Sequence, residues 1–330
     1  MFVGGDVEAL LGETGVAKIA IVGTGFVGRA WAISFARAGH EIALWDANSA
    51  VPAAALAYVG DLLPDLERHD LLNGAAPGEI RARLHVAATL EDALDGAQHV
   101  QENTPEDLAV KRAIFARLDA AAAPATVLAS STSAILPSKF TEALAGRGRC
   151  LVVHPINPPY LIPAAEIVPA PWTDPAVVVR TAALLRSAGH APIVMKREID
   201  GFVMNRLQGA LLEEAFRLVA EGYATAEDVD VGIREGLALR WSFMGPFETI
   251  DLNAPAGVRD YAERYQSIYA AIFPTVQWRA DWTGPVLEAI EAERRAALPA
   301  ERLGERQAWR DRRLMALAAH KRRAETEIGR

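Results

Sequence analysis

Lys18-Ile19-Ala20-Ile21-Val22 is an apolar run of the length of one buried strand, and it ends at Gly23-Thr24-Gly25-Phe26-Val27-Gly28. Arg29 to Ala38 then reads as a helix stopped by Gly39, and Glu41-Ile42-Ala43-Leu44-Trp45 reads as a second strand closed by Asp46. Strand, glycine turn, helix, strand and acid in this order commit the chain to a βαβ unit and hence to a parallel sheet. Each glycine has its own task. Gly23 permits the tight turn, Gly25 lets the backbone approach a pyrophosphate, and Gly28 lets the helix pack closely on the strand. Phe26 and Val27 lie within this turn, on the cofactor side, and the free N–H groups and positive dipole end of the helix that follows suit phosphates. Asp46, eighteen residues after Gly28, is placed to accept hydrogen bonds from the adenosine ribose. A 2′-phosphate would meet its negative charge, and Ala47-Asn48-Ser49 brings no arginine to offset it, so NAD is expected over NADP.

At 330 residues the chain has room for two domains. A net charge of −8 argues against a nucleic-acid partner. It also means that an anionic substrate needs a locally placed cation. The N-terminus shows no basic, apolar signal-peptide pattern and no long apolar run follows, so a soluble, cytoplasmic protein with no membrane span is expected. Residues 1–16 read as a flexible leader. No HxxxH or CxxC spacing occurs, and no metal is expected. His85 and His99 read as ordinary surface or satisfied histidines.

From about residue 49 to 80 runs a largely helical excursion with Asp61, Asp65, Glu67, Asp70 and Glu79 against one strong base, Arg68. Short strands are expected at Leu84–Ala88 and Gln98–Gln101. Glu102-Asn103-Thr104-Pro105-Glu106 then leads into a helix through about Ala122, with Pro105 in its first turn. Asn103, Glu106 and Lys111 fall at or just beyond a strand's carboxyl end, where open α/β sheets bind ligands; helix capping and surface charge account for them equally simply. The strand Thr126–Ala129 ends in Ser130-Ser131-Thr132-Ser133, hydroxyls suited either to a substrate oxygen or to capping the turn near Pro137.

Cys150-Leu151-Val152-Val153 forms a further strand that runs into His154-Pro155-Ile156-Asn157-Pro158-Pro159-Tyr160-Leu161-Ile162-Pro163-Ala164-Ala165-Glu166. The prolines forbid continuous helix. A rigid loop that returns Glu166 to His154 would build a pair in which the carboxylate orients the imidazole and raises its basicity. A Pro-rich connector with unrelated His and Glu is the plainer alternative. Thr173-Asp174-Pro175 starts a helix to about Ala188, and Ala191–Met195 makes a last strand. Beyond Asp200-Gly201 only helical periods appear, so the α/β domain is set at 1–199 and an all-helical domain at 200–330. Phe202 to Val219 is helical, with Asn205 in its first turns. Arg240 lies among apolar neighbours, and a guanidinium there needs an anionic partner, a structural carboxylate or a substrate's. Residues 301–330 carry nine Lys or Arg against five Asp or Glu and read as a solvated helical tail on which Trp309 and Leu317 dock.

The glycine turn, Ser130–Ser133, His154-Pro155-Ile156-Asn157-Pro158, Glu166 and Asp200-Gly201-Phe202-Val203-Met204-Asn205-Arg206 together resemble the 3-hydroxyacyl-CoA dehydrogenase family. His154 to Tyr160 and Gly236 to Thr249 resemble its lambda-crystallin / L-gulonate 3-dehydrogenase branch. The resemblance implies a Rossmann-like NAD domain followed by a helical domain that forms a homodimer. It implies His154 as catalytic base with Glu166 as its partner, and Ser133 and Asn205 as hydrogen-bond partners at the reacting hydroxyl or nicotinamide. It places Glu106 and Lys111 near the cofactor and Arg240 near the substrate. In the acyl-CoA enzymes of this family the excursion after the second strand is lysine-rich and helps bind CoA. Here it is acidic, which favours a small hydroxy acid, L-gulonate first, over an acyl-CoA. 3-Hydroxyacyl-CoA, 3-hydroxybutyrate and L-carnitine are the enzymatic alternatives, and a structural, crystallin-like NAD-binding protein is the non-catalytic one.

Overall fold

The computed structural model describes residues 15–272 and 285–329. All but the last two residues of the expected leader therefore lie outside the described residues. The chain forms two compact units. One runs to Met204 and takes in the chain again from Arg310; the other is Asn205–Trp309.

The first unit is built on eight strands: β1 (Lys18–Val22), β2 (Glu41–Trp45), β3 (Leu84–Val86), β4 (His99–Glu102), β5 (Val127–Ser130), β6 (Cys150–Pro155), β7 (Ala164–Pro169) and β8 (Ala191–Val194). Their order in the sheet is β3-β2-β1-β4-β5-β6-β7-β8. All neighbours run parallel except β6 and β7, which are antiparallel. The crossovers are α1 (Phe26–Arg37), α2 (Ala50–Arg68), α3 (Pro77–Ala82), α4 (Leu90–Leu94), α5 (Leu108–Ala121), α6 (Pro137–Thr141) and α7 (Pro175–Ser187).

Strand periodicity sorts the core into two layers. Ile19, Ile21, Ile42, Leu44, Leu151 and Val153 join Trp31 and Phe35 of α1 and Val59, Leu63 and Leu66 of α2 on one face. Ala20, Val22, Val100, Leu128, Val152 and Val168 join Phe115 of α5, Phe140 and Phe202 on the other. A sheet covered on both faces explains why its strands read as unbroken apolar runs.

Three expectations change. The helix after β4 begins at Leu108, not at Pro105, because Asp107 is its N-cap: the Asp107 side chain accepts from the Val110 amide at 2.9 Å. Glu166 lies on a strand, β7, and not on a loop. The tail also leaves the helical half to which the 200–330 boundary assigned it. The last helix, Leu303–Ile328, brings Met315 into the core of the first unit, where it is 1% exposed, and Leu314 and Ala318 pack beside it. Arg322 donates to the Asp70 carbonyl and, at 3.1 Å, to its carboxylate. Arg68 pairs with Asp65 within α2, so two of the excursion's five acids have guanidinium partners.

The second unit is helical: α8 (Met204–Ala220), α9 (Ala226–Val231), a π-helical turn over Gly232–Leu237, α10 (Ala238–Trp241), α11 (Pro246–Leu252), α12 (Gly257–Ile272) and α13 (Pro285–Ala297).

Candidate active site

The glycine turn closes β1 onto α1. Gly23 has φ +84°, and a Cβ there would stand 2.8 Å from the Asn103 carbonyl carbon. A Cβ on Gly28 would stand 2.0 Å from the Gly23 oxygen. Gly25, by contrast, faces open space. Two glycines are thus demanded by the protein's own packing, and the third leaves room for a ligand backbone, which is the pattern that a pyrophosphate requires. Phe26 is exposed, and Val27 half-buried, at the helix start.

A cleft of about 630 Å³ continues from this turn, lined by Gly23, Gly25, Trp45, Asp46, Asn103 and Arg117 among others. Asp46 accepts from the Thr24 amide at 2.9 Å and from the Asn48 amide at 3.0 Å, one on each oxygen. Each oxygen keeps a lone pair for a ribose hydroxyl. Arg117, from α5, sits 5.4 Å from the Trp45 ring centroid, a cation–π pair on the cleft wall that no local pattern announces. These residues fit a bound dinucleotide. Because Arg117 already supplies a cation, Asp46→Ser is expected to lower the NAD-to-NADP ratio of kcat/KM roughly 10- to 100-fold, the value of charge-assisted hydrogen bonds. An unchanged ratio would remove Asp46 from the ribose.

At the end of β4, Glu102 and Lys111 are both fully buried. The Lys111 ammonium donates to both Glu102 oxygens at 2.8 and 3.0 Å and to the Thr104 carbonyl at 2.9 Å. Ser130 donates to Glu102 at 2.6 Å. All three N–H groups of Lys111 are thereby engaged, and a buried ion pair with this many extra bonds holds the turn at the sheet's carboxyl edge. The sequence singled out Lys111 but not its partner. Glu106 accepts from the Thr132 hydroxyl and, at 3.1 Å, from the Ser133 and Ala134 amides. It thereby anchors the loop that carries Ser133. Asn103 accepts from Ser131 at 2.7 Å and donates to the Gln101 carbonyl at 2.8 Å.

His154 and Glu166 are directly opposite in the antiparallel β6–β7 register. Opposed residues project to the same face, here the one carrying Val152, Val168 and Phe202. His154 Nδ1 meets Glu166 Oε2 at 2.7 Å. The Val203 and Met204 amides donate to Glu166 Oε1 at 2.6 and 2.9 Å. Burial pushes the Glu166 carboxyl up, yet the bonds from His154, Met204 and Val203 outweigh it and hold the group below its ordinary value. An ionised carboxylate can only accept, so Nδ1 carries the proton and Nε2 is left with the lone pair. Phe202, with φ +50°, tilts its ring against the imidazole at 5.5 Å between centroids. Phe202, Val203 and Met204 thus complete the pair, and nothing in their spacing marks them for it.

Asn205 follows Met204 directly, at the start of the second unit, and Arg240 is the penultimate residue of α10, half-buried within that unit.

The NAD binding domain of 3-hydroxyacyl-CoA dehydrogenase matches residues 18–199, and the C-terminal domain of 3-hydroxyacyl-CoA dehydrogenase matches residues 201–284. A lambda-crystallin homolog of Bos taurus is 41% identical over 310 residues, 93% of this chain and 96% of that one. An L-carnitine dehydrogenase of Streptomyces griseus is 43% identical over 242 residues, 73% of this chain and 71% of that one. Among solved structures, 5-formyl-3-hydroxy-2-methylpyridine 4-carboxylic acid 5-dehydrogenase, an NAD+-dependent dismutase, superposes with a TM-score of 0.77 at 27% identity, covering 92% of this chain and 97% of that one. With the glycine turn, the acid after β2 and the His154–Glu166 pair all in place, the chain belongs to the 3-hydroxyacyl-CoA dehydrogenase family and is an NAD-dependent hydroxy-acid dehydrogenase.

Proposed function

We propose that the chain oxidises the 3-hydroxyl of a small hydroxy acid, L-gulonate to 3-dehydro-L-gulonate, with His154 as general base. The observation that carries this reading is the buried His154–Glu166 pair at 2.7 Å, poised with Nε2 as the basic atom. NAD, which Gly23, Gly25, Asp46 and Asn103 would hold in the cleft, would supply the hydride acceptor for C3. His154 takes the hydroxyl proton on Nε2, and Glu166 stabilises the imidazolium that results. Ser133 and Asn205 hold the substrate oxygen. Arg240 holds the carboxylate at the far end, as a planar guanidinium does bidentately. Gly23, Gly25, Phe26, Val27, Gly28, Asp46, Asn103, Glu106 and Lys111 make up the cofactor side.

The L-gulonate assignment draws on the lambda-crystallin branch, whose match spans nearly the whole of both chains, and on the acidic excursion. L-Carnitine is the second reading, favoured by the L-carnitine dehydrogenase relatives. Oligomerisation is assigned to the second unit as a homodimer, in line with its exposed Leu207, Phe243, Phe247, Leu252, Ile268 and Tyr269. The protein is placed in the cytoplasm, a setting in keeping with a single, buried cysteine, Cys150.

Steady-state kinetics across L-gulonate, L-carnitine, 3-hydroxybutyrate and 3-hydroxybutyryl-CoA test the substrate. The highest kcat/KM is expected for L-gulonate. A carnitine optimum moves the assignment to the second reading, and no turnover of any of them moves it to a crystallin-like protein. Arg240→Lys is expected to raise KM for the acid about tenfold or more by losing the bidentate pairing, with unfolding unchanged. An unchanged KM removes Arg240 from the substrate.

A further inference from the structure

We propose that Gln101, His99 and Ser131 are positioning residues for the cofactor: a one-way chain of hydrogen bonds through the core sets which way the Asn103 side-chain amide faces in the dinucleotide cleft. The proposal rests on the reading of Asn103 as a cofactor contact.

The chain starts from strand geometry. His99 and Gln101 are two residues apart on β4 and so share a face, the one that carries Trp31 and Phe35. Both are buried, 2% and 0% exposed. Gln101 Nε2 lies 3.3 Å from the Val153 carbonyl and 2.7 Å from the Ser131 hydroxyl. A backbone carbonyl can only accept, which fixes the Gln101 amide with its nitrogen on that side and its oxygen toward His99. His99 Nε2, 3.1 Å from that oxygen, must then donate. The imidazole is therefore the Nε2–H tautomer, with Nδ1 an acceptor. His99 and Arg180 both line a cavity of about 20 Å³, and His99 Nδ1 and Arg180 Nε are both buried without a hydrogen-bond partner. That space suits one water molecule, with a donor and an acceptor to hold it.

In the other direction the logic is equally strict. Ser131 Oγ receives the Trp31 indole N–H at 3.0 Å, and an indole nitrogen can only donate. With Trp31 and Gln101 both donating to it, the hydroxyl has its own proton left for Asn103 Oδ1, at 2.7 Å. Asn103 Nδ2 in turn donates to the Gln101 carbonyl at 2.8 Å. No link can be reversed without setting two donors or two acceptors against each other.

This leaves Asn103 with one amide N–H and one oxygen lone pair uncommitted. A vicinal diol, as on a ribose, needs just such a neighbouring donor and acceptor. Asn103 lines the same cleft as Gly23, Gly25 and Asp46, and its backbone is what a Cβ on Gly23 would strike. A rotated Asn103 amide would therefore present the wrong groups beside the pyrophosphate turn.

The test is a double-mutant cycle read by NAD titration calorimetry on the full chain, below the unfolding temperature of every variant. Asn103→Ala and Gln101→Met are each expected to weaken NAD binding roughly 3- to 10-fold, and the double variant is expected to bind no worse than the weaker single. If Asn103→Ala leaves affinity unchanged, the cofactor reading of Asn103 falls and the proposal with it. If Asn103→Ala weakens binding but Gln101→Met does not, or if the two effects add, Asn103 stands and the positioning chain is overturned. Should Gln101→Met fail to fold, Ser131→Ala takes its place in the cycle. Imidazole nitrogen NMR gives an independent reading: His99 is expected as the neutral Nε2–H tautomer from pH 6 to 8, and an Nδ1–H form or a protonated ring would overturn the chain.

Discussion

His154→Gln is expected to lower kcat by roughly 10²- to 10⁴-fold, the usual contribution of a positioned general base, and to leave the NAD dissociation constant unchanged. Glutamine keeps a polar side chain near Glu166 but offers no basic nitrogen to the hydroxyl. The pair's construction makes the loss specific to chemistry. Glu166 Oε1 is already held by the Val203 and Met204 amides, so Oε2 is the oxygen that serves His154. Those bonds hold the Glu166 carboxyl below its ordinary value, and an ionised carboxylate can only accept, so Nδ1 turns its proton to it and Nε2 carries the lone pair. Glu166→Gln should lie between wild type and His154→Gln: it retains the shape of the pair but removes the charge that favours the imidazolium. A His154→Gln enzyme with near-normal kcat at neutral pH would overturn the mechanism. Stopped-flow measurement of NADH formation at saturating NAD gives the comparison directly, provided that far-UV circular dichroism shows both variants folded.

How far this site could be read in advance depended on how local its causes are. The glycine turn was legible because its spacing is a local pattern in which Gly28 answers to the Gly23 oxygen five residues back, although Gly23 itself answers to Asn103, eighty residues on, after β4. The His154–Glu166 pair was legible as a pair but not as a geometry. Pro155, Pro158, Pro159 and Pro163 dominate the intervening chain and read as a loop, whereas the cause is the cross-strand register of β6 and β7. A short hairpin strand such as Ala164-Ala165-Glu166-Ile167-Val168-Pro169 has little alternation to announce it, since both of its faces are covered.

Long-range partners left no sequence signal at all. Lys111 reads as a surface charge on a helix until the fold buries it against Glu102, Thr104 and Ser130. Arg117 reaches the cleft from a helix some seventy residues beyond Trp45, the ring it covers. The tail shows the converse failure. Its last helix is so rich in charge that it reads as solvated, yet Met315, with Leu314 and Ala318 beside it, seats it in the core of the first unit. Asn205 and Arg240 were singled out through the family's motifs, because a helix start and an arginine among apolar neighbours have ordinary structural explanations too.

Stability of the first unit should decline from about pH 6.5 down to pH 4, a loss that begins well above the range in which its carboxylates protonate. Three buried histidines cause this. His40, His99 and His190 surround the Phe35 ring, with centroids 6.3, 6.1 and 6.5 Å away. Burial holds each of them down to about 4, helped by Arg83 beside His40, by Arg180 and His40 beside His99, and by Arg37 beside His190. The bonds that His99 donates to the Gln101 side chain and His190 donates to the Pro163 carbonyl pull the other way and are outweighed. Trp31, stacked on Phe35 and 4.9 Å from His190, closes the cluster and offers no negative charge. Between those pH values the unfolded chain binds protons that the folded one refuses. Stability is therefore whole above about pH 6.5 and declines as pH falls. At pH 5 the loss is about 2 kcal/mol per histidine, taken one at a time, and the three share neighbours, so their sum is less than additive. Urea melts at pH 7.5, 6 and 5 should show the midpoint falling steadily. His190→Gln, which removes one proton-binding group from the unfolded chain, should flatten that slope by up to a third. The Glu166 carboxylate works in the same direction but in a lower window, below its ordinary value of 4.5, because its folded form is the one held ionised. A midpoint that does not move between pH 7.5 and pH 5 would mean that the three imidazoles take up protons in the folded core, and that the arginines around Phe35 do not oppose them.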